Sequence, residues 1–225
     1  MGVLGKNVDG VQSVVDQRAL FYSTSFTYRL GKRLFDIALS LIAIIFLVPV
    51  FLVIALLIKL TSPGPVIFSQ ERSGFKGRVF RMYKFRSMVV DAEKQIKRLE
   101  GMNEVSGPMF KIRNDPRITA VGKVIRKTSL DELPQLFNIL KGDMSIVGPR
   151  PPIVGEVVKY DTWHKLRLSV RPGLTGLWQI SGRNSLGFEE MIRLDLKYIK
   201  ERSFWYDLRI ILRTIPTLLG DSNAY

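Results

Sequence analysis

From Ile37 to Ile58 the chain reads IALSLIAIIFLVPVFLVIALLI, 22 residues in which Ser40 is the only polar side chain. A straight helix of that length reaches roughly 33 Å, the scale of a bilayer's hydrocarbon core. An uncharged run this long belongs in lipid rather than in the core of a soluble protein. Whether it spans is a separate question. Pro49 stands in mid-run, where it removes an intrahelical hydrogen bond and clashes with the preceding turn. The arms on either side, 37–48 and 50–58, would be roughly 18 Å and 13 Å long, each too short to cross alone. A helix bent at Pro49 could enter and leave by one face, whereas a kinked helix that spans is also permitted in membranes. Lys32 and Arg33 before the run and Lys59 after it favour the cytoplasmic side at both ends, which suits re-entry. The physical reading is a membrane-anchored protein with its bulk in the cytosol.

The partner class follows from charge. With 34 Lys+Arg against 20 Asp+Glu in 225 residues, the net charge is +14. Such an excess points to a polyanion: nucleic acid, an anionic membrane surface or phosphorylated substrates. The absence of cysteine excludes disulfides, thiolate metal sites and cysteine nucleophiles, and a single histidine, His164, excludes poly-His metal centres. A hydrophobic share of 46% with 24% charged residues is that of a folded chain.

The fold class read from the pattern is α+β, with one N-terminal hydrophobic, Pro-kinked helix and a mostly helical catalytic domain carrying a small β-hairpin. Residues 1–31 form a polar segment without the apolar stretch of a signal peptide, 32–60 the membrane helix and 61–225 the globular domain. Turn signals at Ser62-Pro63-Gly64-Pro65, Ser73-Gly74 and Lys76-Gly77 bracket a hairpin built from Val66-Ile67-Phe68 and Val79 to Phe85. Helices are expected over 91–100, 119–126, 133–140, 188–203 and 204–219. The last, which mixes Trp205 and Tyr206 with Arg209 and Arg213, suits a surface-lying amphipathic helix or a docked core helix equally.

Three strings could carry chemistry. In Ser129-Leu130-Asp131-Glu132-Leu133-Pro134-Gln135, adjacent carboxylates precede an apolar periodicity. Ser129 with Glu132 reads as a capping box, and the same acids beside Arg126 and Lys127 read as a Mg²⁺ and phosphate site at a helix N-terminus. The loop from Gly142 to Pro152 presents Arg150 between two glycines and three prolines, where a guanidinium could bind phosphate. Arg171-Pro172-Gly173-Leu174-Thr175-Gly176, continuing to Gly182-Arg183-Asn184, offers Arg171 and Arg183 in the same way. A fourth stretch, Arg78 to Arg86, interleaves aromatic and basic residues as nucleic-acid surfaces do. His164 has no evident partner and reads as a surface or interfacial residue.

Five strings in order make a resemblance. Lys32-Arg33-Leu34-Phe35-Asp36, Tyr83 to Met88, Ser129 to Asn138, Gly142 to Pro151 and Arg171 to Asn184 together resemble the bacterial sugar transferase family. These are monotopic polyprenyl-phosphate phosphoglycosyl transferases that begin exopolysaccharide, capsule or O-antigen synthesis on the cytoplasmic face of the bacterial inner membrane. The resemblance implies transfer of a sugar 1-phosphate from a UDP-sugar to polyprenyl (undecaprenyl) phosphate, with release of UMP. It maps the nucleophile to Asp131 and its partner to Glu132, both as Mg²⁺ ligands, and the phosphate contacts to Arg126, Arg150 and Arg183. The implied partners are the donor, the lipid acceptor and membrane lipid, without nucleic acid, and a homo-oligomer is compatible with them. Many members place Ser before the breaking proline, where Val48 stands here. Long members carry further N-terminal membrane helices, so the chain is expected to be a short member or a catalytic fragment. Two other readings compete: a membrane-tethered nucleic-acid-binding protein, and a catalytically silent scaffold.

Overall fold

The computed structural model describes residues 24–104, 110, 112, 114–182 and 186–220. Helix α1 (Phe26–Thr61) begins where the Ser25 hydroxyl accepts the Tyr28 amide at 3.1 Å, continues through Pro49, and ends before Pro63-Gly64-Pro65. It starts ahead of Lys32 because a side-chain cap, not the onset of the apolar run, sets its first turn. By length and composition it could cross a membrane, and little of its apolar stretch is covered by the rest of the chain.

Strands β1 (Ile67–Ser73) and β2 (Val79–Phe85) form the expected antiparallel hairpin, in register from Ile67 opposite Phe85 to Ser73 opposite Val79. Its turn places Lys76 at φ 55° and Gly77 at φ 75°, so the tight reversal uses left-handed backbone. Only Ile96–Leu99, α2, is α-helical within 91–100, with no side-chain cap at Gln95. Helix α3 (Ala120–Lys127) is capped by the Thr119 hydroxyl, which accepts the Gly122 amide at 2.9 Å. A 3₁₀ turn, Leu130–Glu132, leads to α4 (Gln135–Lys141) and strand β3 (Ser145–Val147). Helix α5 (Val154–Val158) and a 3₁₀ segment, His164–Ser169, connect to β4 (Gly173–Thr175). Three helices complete the order: α6 (Leu177–Ile180), α7 (Phe188–Glu201) and α8 (Phe204–Gly220).

The β3–β4 pair is parallel, with Ser145 opposite Gly173 and Val147 opposite Thr175. Here glycine permits backbone to approach backbone. A Cβ on Gly173 would lie 2.1 Å from the Gly148 nitrogen, and one on Gly148 would lie 2.6 Å from the Arg171 carbonyl.

Three buried clusters join the layers. One gathers Phe80, Met82, Ile139, Met144, Tyr198 and Ile210, with Leu39, Ala43 and Ile44 of α1 against it. A second, with Val157, Phe188 and Ile192, sits between α5 and α7. The third holds Ile54 and Ile58 of α1 against Phe85 and Ile125. Both arms of α1, on either side of Pro49, therefore rest on the same globular body, while Ile45, Phe46, Leu52 and Leu56 face outward. The Lys32-to-Asp36 string is the clamp. Arg33 donates to the Ile139 and Leu140 carbonyls, Asp36 accepts the Ile146 amide at 3.1 Å, and Lys32 pairs with Asp207 at 2.8 Å.

One reading needs correction. His164 is buried, 4% exposed; its Nδ1 accepts the Asp161 amide at 3.1 Å and its Nε2 lies 3.1 Å from Glu189 Oε1. Rings of Trp163, Tyr160 and Phe188 surround it, so an aromatic cage rather than solvent is its setting. Helix α8 combines the two alternatives weighed for it. Ile210 and Asp207 are buried in the core, whereas Trp205, Leu212 and Ile215 stay exposed.

Candidate active site

Asp131 and Glu132 sit on a 3₁₀ turn rather than in a capping box. Ser129 adopts left-handed backbone at φ 54° and makes no side-chain cap. The turn is closed instead by the Glu132 amide on the Ser129 carbonyl at 3.1 Å. Helix α4 starts only at Gln135, so Asp131 lacks the position at a helix N-terminus that the sequence suggests. Its environment is set by burial and by cations from elsewhere in the chain.

The turn opens into a polar cleft of about 170 Å³ lined by Arg72, Lys84, Arg126, Asp131, Glu132, Arg150, Trp178 and Gln179, among others. These residues, Gln179 excepted, also line a larger lobe of about 950 Å³, whose walls include Phe68, Met88, Val89, Ile96 and Met191. A charged end thus continues into a roomier and more apolar one.

Lys84 is the closest cation to the acids. Its Nζ lies 2.6 Å from Glu132 Oε1 and 3.7 Å from Asp131 Oδ2. β2 delivers it, and Asn138 fixes β2 to α4: the Tyr83 amide donates to Asn138 Oδ1 at 3.0 Å, and Asn138 Nδ2 donates to the Arg81 carbonyl at 2.7 Å. Asp131 is 6% exposed. Burial raises its pKa above the usual carboxylate value; Lys84 opposes that rise and the neighbouring Glu132 adds to it.

Arg72, on β1, is 7% exposed and donates to the Pro151 carbonyl at 2.9 Å and to Gln70 Oε1 at 2.7 Å. Its Nε has no partner, nor do Trp178 Nε1 and Gln179 Oε1 on the same walls. Burial, then the nearby Arg150, push the Arg72 pKa down to about 9, so it stays cationic at neutral pH. Buried polar atoms left without partners are costly unless a ligand completes them.

Of the residues anticipated from sequence, Asp131, Glu132, Arg126 and Arg150 come together in this cleft. Arg183 lies outside the described residues. Arg171 lines a different cavity. Lys84 and Arg72 were not anticipated as site residues. Lys84 belongs to the aromatic-basic string, which the fold takes apart: Arg81 is exposed, Lys84 enters the cleft, and Arg86 is buried on the Ser62 and Pro63 carbonyls.

Whether the acids suit a divalent ion can be read from their donors. No group of three or more His, Cys, Asp or Glu that could hold a metal occurs among the described residues. Two adjacent carboxylates completed by substrate phosphate oxygens are nonetheless a set that Mg²⁺ takes. The Asp131–Glu132 pair fits on that basis, with Lys84 currently on Glu132.

Comparison with known proteins places the chain in a family. The family model described as "Bacterial sugar transferase" matches residues 27–221. The galactosyl transferase CpsE of Streptococcus agalactiae serotype III is 50% identical over 215 residues, 94% of this chain and 47% of that protein. The undecaprenyl-phosphate galactose phosphotransferase of Salmonella typhimurium is 45% identical over 202 residues, 88% of this chain and 42% of that protein. The exopolysaccharide production protein ExoY of Sinorhizobium fredii is 40% identical over 200 residues, 87% of this chain and 88% of that protein. The chain thus spans about half the length of the first two relatives and most of the third.

Proposed function

The chain belongs to the bacterial sugar transferase family, and from that premise we propose that it transfers a sugar 1-phosphate from a UDP-sugar to undecaprenyl phosphate, releasing UMP. The observation that carries this is a buried carboxylate, Asp131, with Lys84, Arg72, Arg126 and Arg150 on the walls of one cleft. An anionic nucleophile meets an anionic diphosphate only where cations neutralise both.

In this reading an Asp131 carboxylate oxygen attacks the sugar-bearing β-phosphorus. The bond from that phosphorus to the bridging oxygen breaks, and UMP leaves with the electron pair. The undecaprenyl phosphate oxygen then attacks the same phosphorus, breaks its bond to Asp131, and regenerates the carboxylate. Arg126, Arg150 and Arg72 hold the phosphates, and Lys84 orients Glu132 while limiting repulsion between the two acids. Burial leaves Asp131 more basic than a solvated carboxylate and therefore a better nucleophile once ionised. Mg²⁺ held by Asp131 and Glu132 would supply further neutralisation of the diphosphate. Arg183 would join the phosphate contacts. The larger lobe suits the nucleoside and sugar.

The acceptor's phosphate lies at the membrane surface, which fits the placement of α1. Both of its arms rest on the globular body that carries the cleft, which supports a re-entrant segment with both ends on the cytoplasmic face of the inner membrane. The relatives named for galactose and glucose make a hexose the donor sugar to try first.

The test uses purified protein in nanodiscs with Mg²⁺, undecaprenyl phosphate and UDP-galactose or UDP-glucose. UMP release that EDTA abolishes and Asp131→Asn eliminates is the expected result. Release that survives Asp131→Asn would remove the covalent role, and silence with both hexose donors from folded protein would remove the donor assignment.

A further inference from the structure

The polar cleft has a recess that the larger lobe does not share. Every charged residue on the cleft walls, namely Arg72, Lys84, Arg126, Asp131, Glu132 and Arg150, lines both cavities. The polar side chains that line the cleft alone are Ser129, Gln135 and Gln179, all neutral. Charge thus stops at the boundary between the two cavities, and uncharged hydrogen-bonding groups lie beyond it.

Gln135 is the most enclosed of the three. It opens α4 and is 3% exposed, and its side chain makes no hydrogen bond among the described residues. Asn138, one turn further along the same helix, shows the other use of a buried amide. Its Oδ1 accepts the Tyr83 amide at 3.0 Å and its Nδ2 donates to the Arg81 carbonyl at 2.7 Å, so the fold consumes it in holding β2. Residues three apart share a helix face, and this face therefore carries one amide that binds a strand and one left open. Gln179 is half committed: its Nε2 donates to the Leu174 carbonyl at 3.2 Å, and its Oε1 has no partner. A buried amide without a partner is costly, so the recess awaits groups that a ligand supplies.

The chemistry of that ligand follows from charge. The donor's diphosphate belongs with the cations at the boundary, because a recess without cations would strand a phosphate's charge. An isoprenoid chain would leave the amides unsatisfied. A sugar hydroxyl donates and accepts, as an amide does, and fits both requirements. The transfer reading above sets the sugar-bearing phosphorus against Asp131, at the boundary. Resting on that reading, we propose that one edge of the transferred sugar enters the recess and that the Gln135 amide hydrogen-bonds a sugar hydroxyl there. Gln135 is then a specificity-determining residue, which touches the sugar but neither the nucleoside nor the phosphates.

The test compares wild type and Gln135→Met in nanodiscs. Binding of UDP-glucose, UDP-galactose and UDP is measured by calorimetry, and turnover of the two donors by UMP release. Binding of the preferred hexose donor and its kcat/KM should each fall about tenfold in the variant, and UDP binding should not change. The thermal unfolding midpoint should not drop, because the amide has no partner to lose. In a series of monodeoxy UDP-hexoses, the one that lacks the contacted hydroxyl should bind wild type and variant equally. Equal weakening of UDP and the hexose donor, or the same loss with every deoxy donor, would overturn the proposal. Should Gln135→Met fail to fold, Gln135→Ala decides, and misfolding of both would give the amide a structural role and overturn it too. This binding pattern without UMP release would keep the sugar site and remove the transfer reading. UMP release with unaltered donor binding and turnover in the variant would do the reverse, and no binding of either donor would remove both.

Discussion

The guanidinium of Arg167 donates to the backbone carbonyl of Arg150 at 3.1 Å while also bonding Asp195 and the Tyr160 hydroxyl. Arg167 and Asp195 are each 1% exposed, so a buried ion pair reaches into the loop that presents a cleft cation. Removing one partner of such a pair strands the other charge. Arg167→Met should lower stability by about 3–5 kcal/mol in denaturant unfolding. The double variant Arg167→Met/Asp195→Leu should recover most of that loss yet keep a raised KM for the donor, because the Arg150 carbonyl still lacks its donor. Full recovery of KM in the double variant would show that the bond to Arg150 has no positioning role.

Lys84 touches both acids, so its removal has two effects with opposite chemical signs. Lys84→Met should lower kcat/KM by about 10²–10³-fold through lost charge stabilisation. It also removes the cation that opposes the rise in the Asp131 pKa, so the acid limb of the kcat/KM profile should move to higher pH. Glu132→Gln removes a charge that raises the same pKa, and its residual activity should show the limb moved to lower pH. Opposite displacements identify Asp131 as the titrating group, and movement in the same direction would exclude that assignment.

A carboxylate that must ionise in a buried site should cost stability. The folded-state pKa of Asp131 lies above its unfolded value, so the folded chain binds the proton more tightly. Stability from this residue is therefore greatest below the unfolded pKa of about 3.9 and is lost as pH rises through the folded value. Asp131→Asn should raise the unfolding midpoint at neutral pH by the equivalent of about 1 kcal/mol while abolishing turnover. A destabilised Asp131→Asn would mean that Lys84 and Arg126 over-compensate the burial.

How much of this was legible follows from which features are local. The apolar run, the hairpin, the Thr119 to Lys127 helix and the two C-terminal helices announce themselves through period, turn residues and caps, and the structure has each of them close to where the pattern puts it. The β3–β4 pair does not, because strands of three residues show no alternation. Asp131, Glu132, Arg126 and Arg150 were visible as charged groups in rigid strings. Lys84 was not, because it meets Glu132 across 48 residues of chain, and its own string read as a nucleic-acid surface. Arg72 lay unmarked in an ordinary strand. The loop arginines show the limit most clearly: Arg150 and Arg171 look equivalent in sequence, yet one enters the cleft and the other a different cavity.

Arg72 should act on donor binding. It lines the cleft with an unpartnered Nε and is rigidly held by Pro151 and Gln70. Arg72→Met should raise KM for the UDP-sugar about 10–100-fold, with kcat less affected if the contact is made equally in ground and transition states. Arg72→Lys should rescue little of it, since an ammonium cannot reproduce the planar fork. An unchanged KM in a folded Arg72→Met would confine Arg72 to a structural role.

The absence of cysteine makes the topology of α1 directly readable, since any single introduced thiol is unique. Ser25 and Ser62 flank the helix at its two ends. If α1 re-enters, Ser25→Cys and Ser62→Cys should both react with a membrane-impermeant maleimide in inverted membrane vesicles, and neither should react in intact spheroplasts. A spanning helix of this length would expose the two thiols to opposite compartments. Replacing Pro49 with Leu restores the intrahelical hydrogen bond and an uninterrupted apolar run. The straightened helix should shift toward the spanning pattern of labelling and should lose undecaprenyl-phosphate-dependent turnover, because its arms can no longer both rest on the body that carries Asp131. Unchanged labelling and turnover in Pro49→Leu would show that the contacts of Leu39, Ala43 and Ile54 with the globular body, rather than the proline, hold α1 in place.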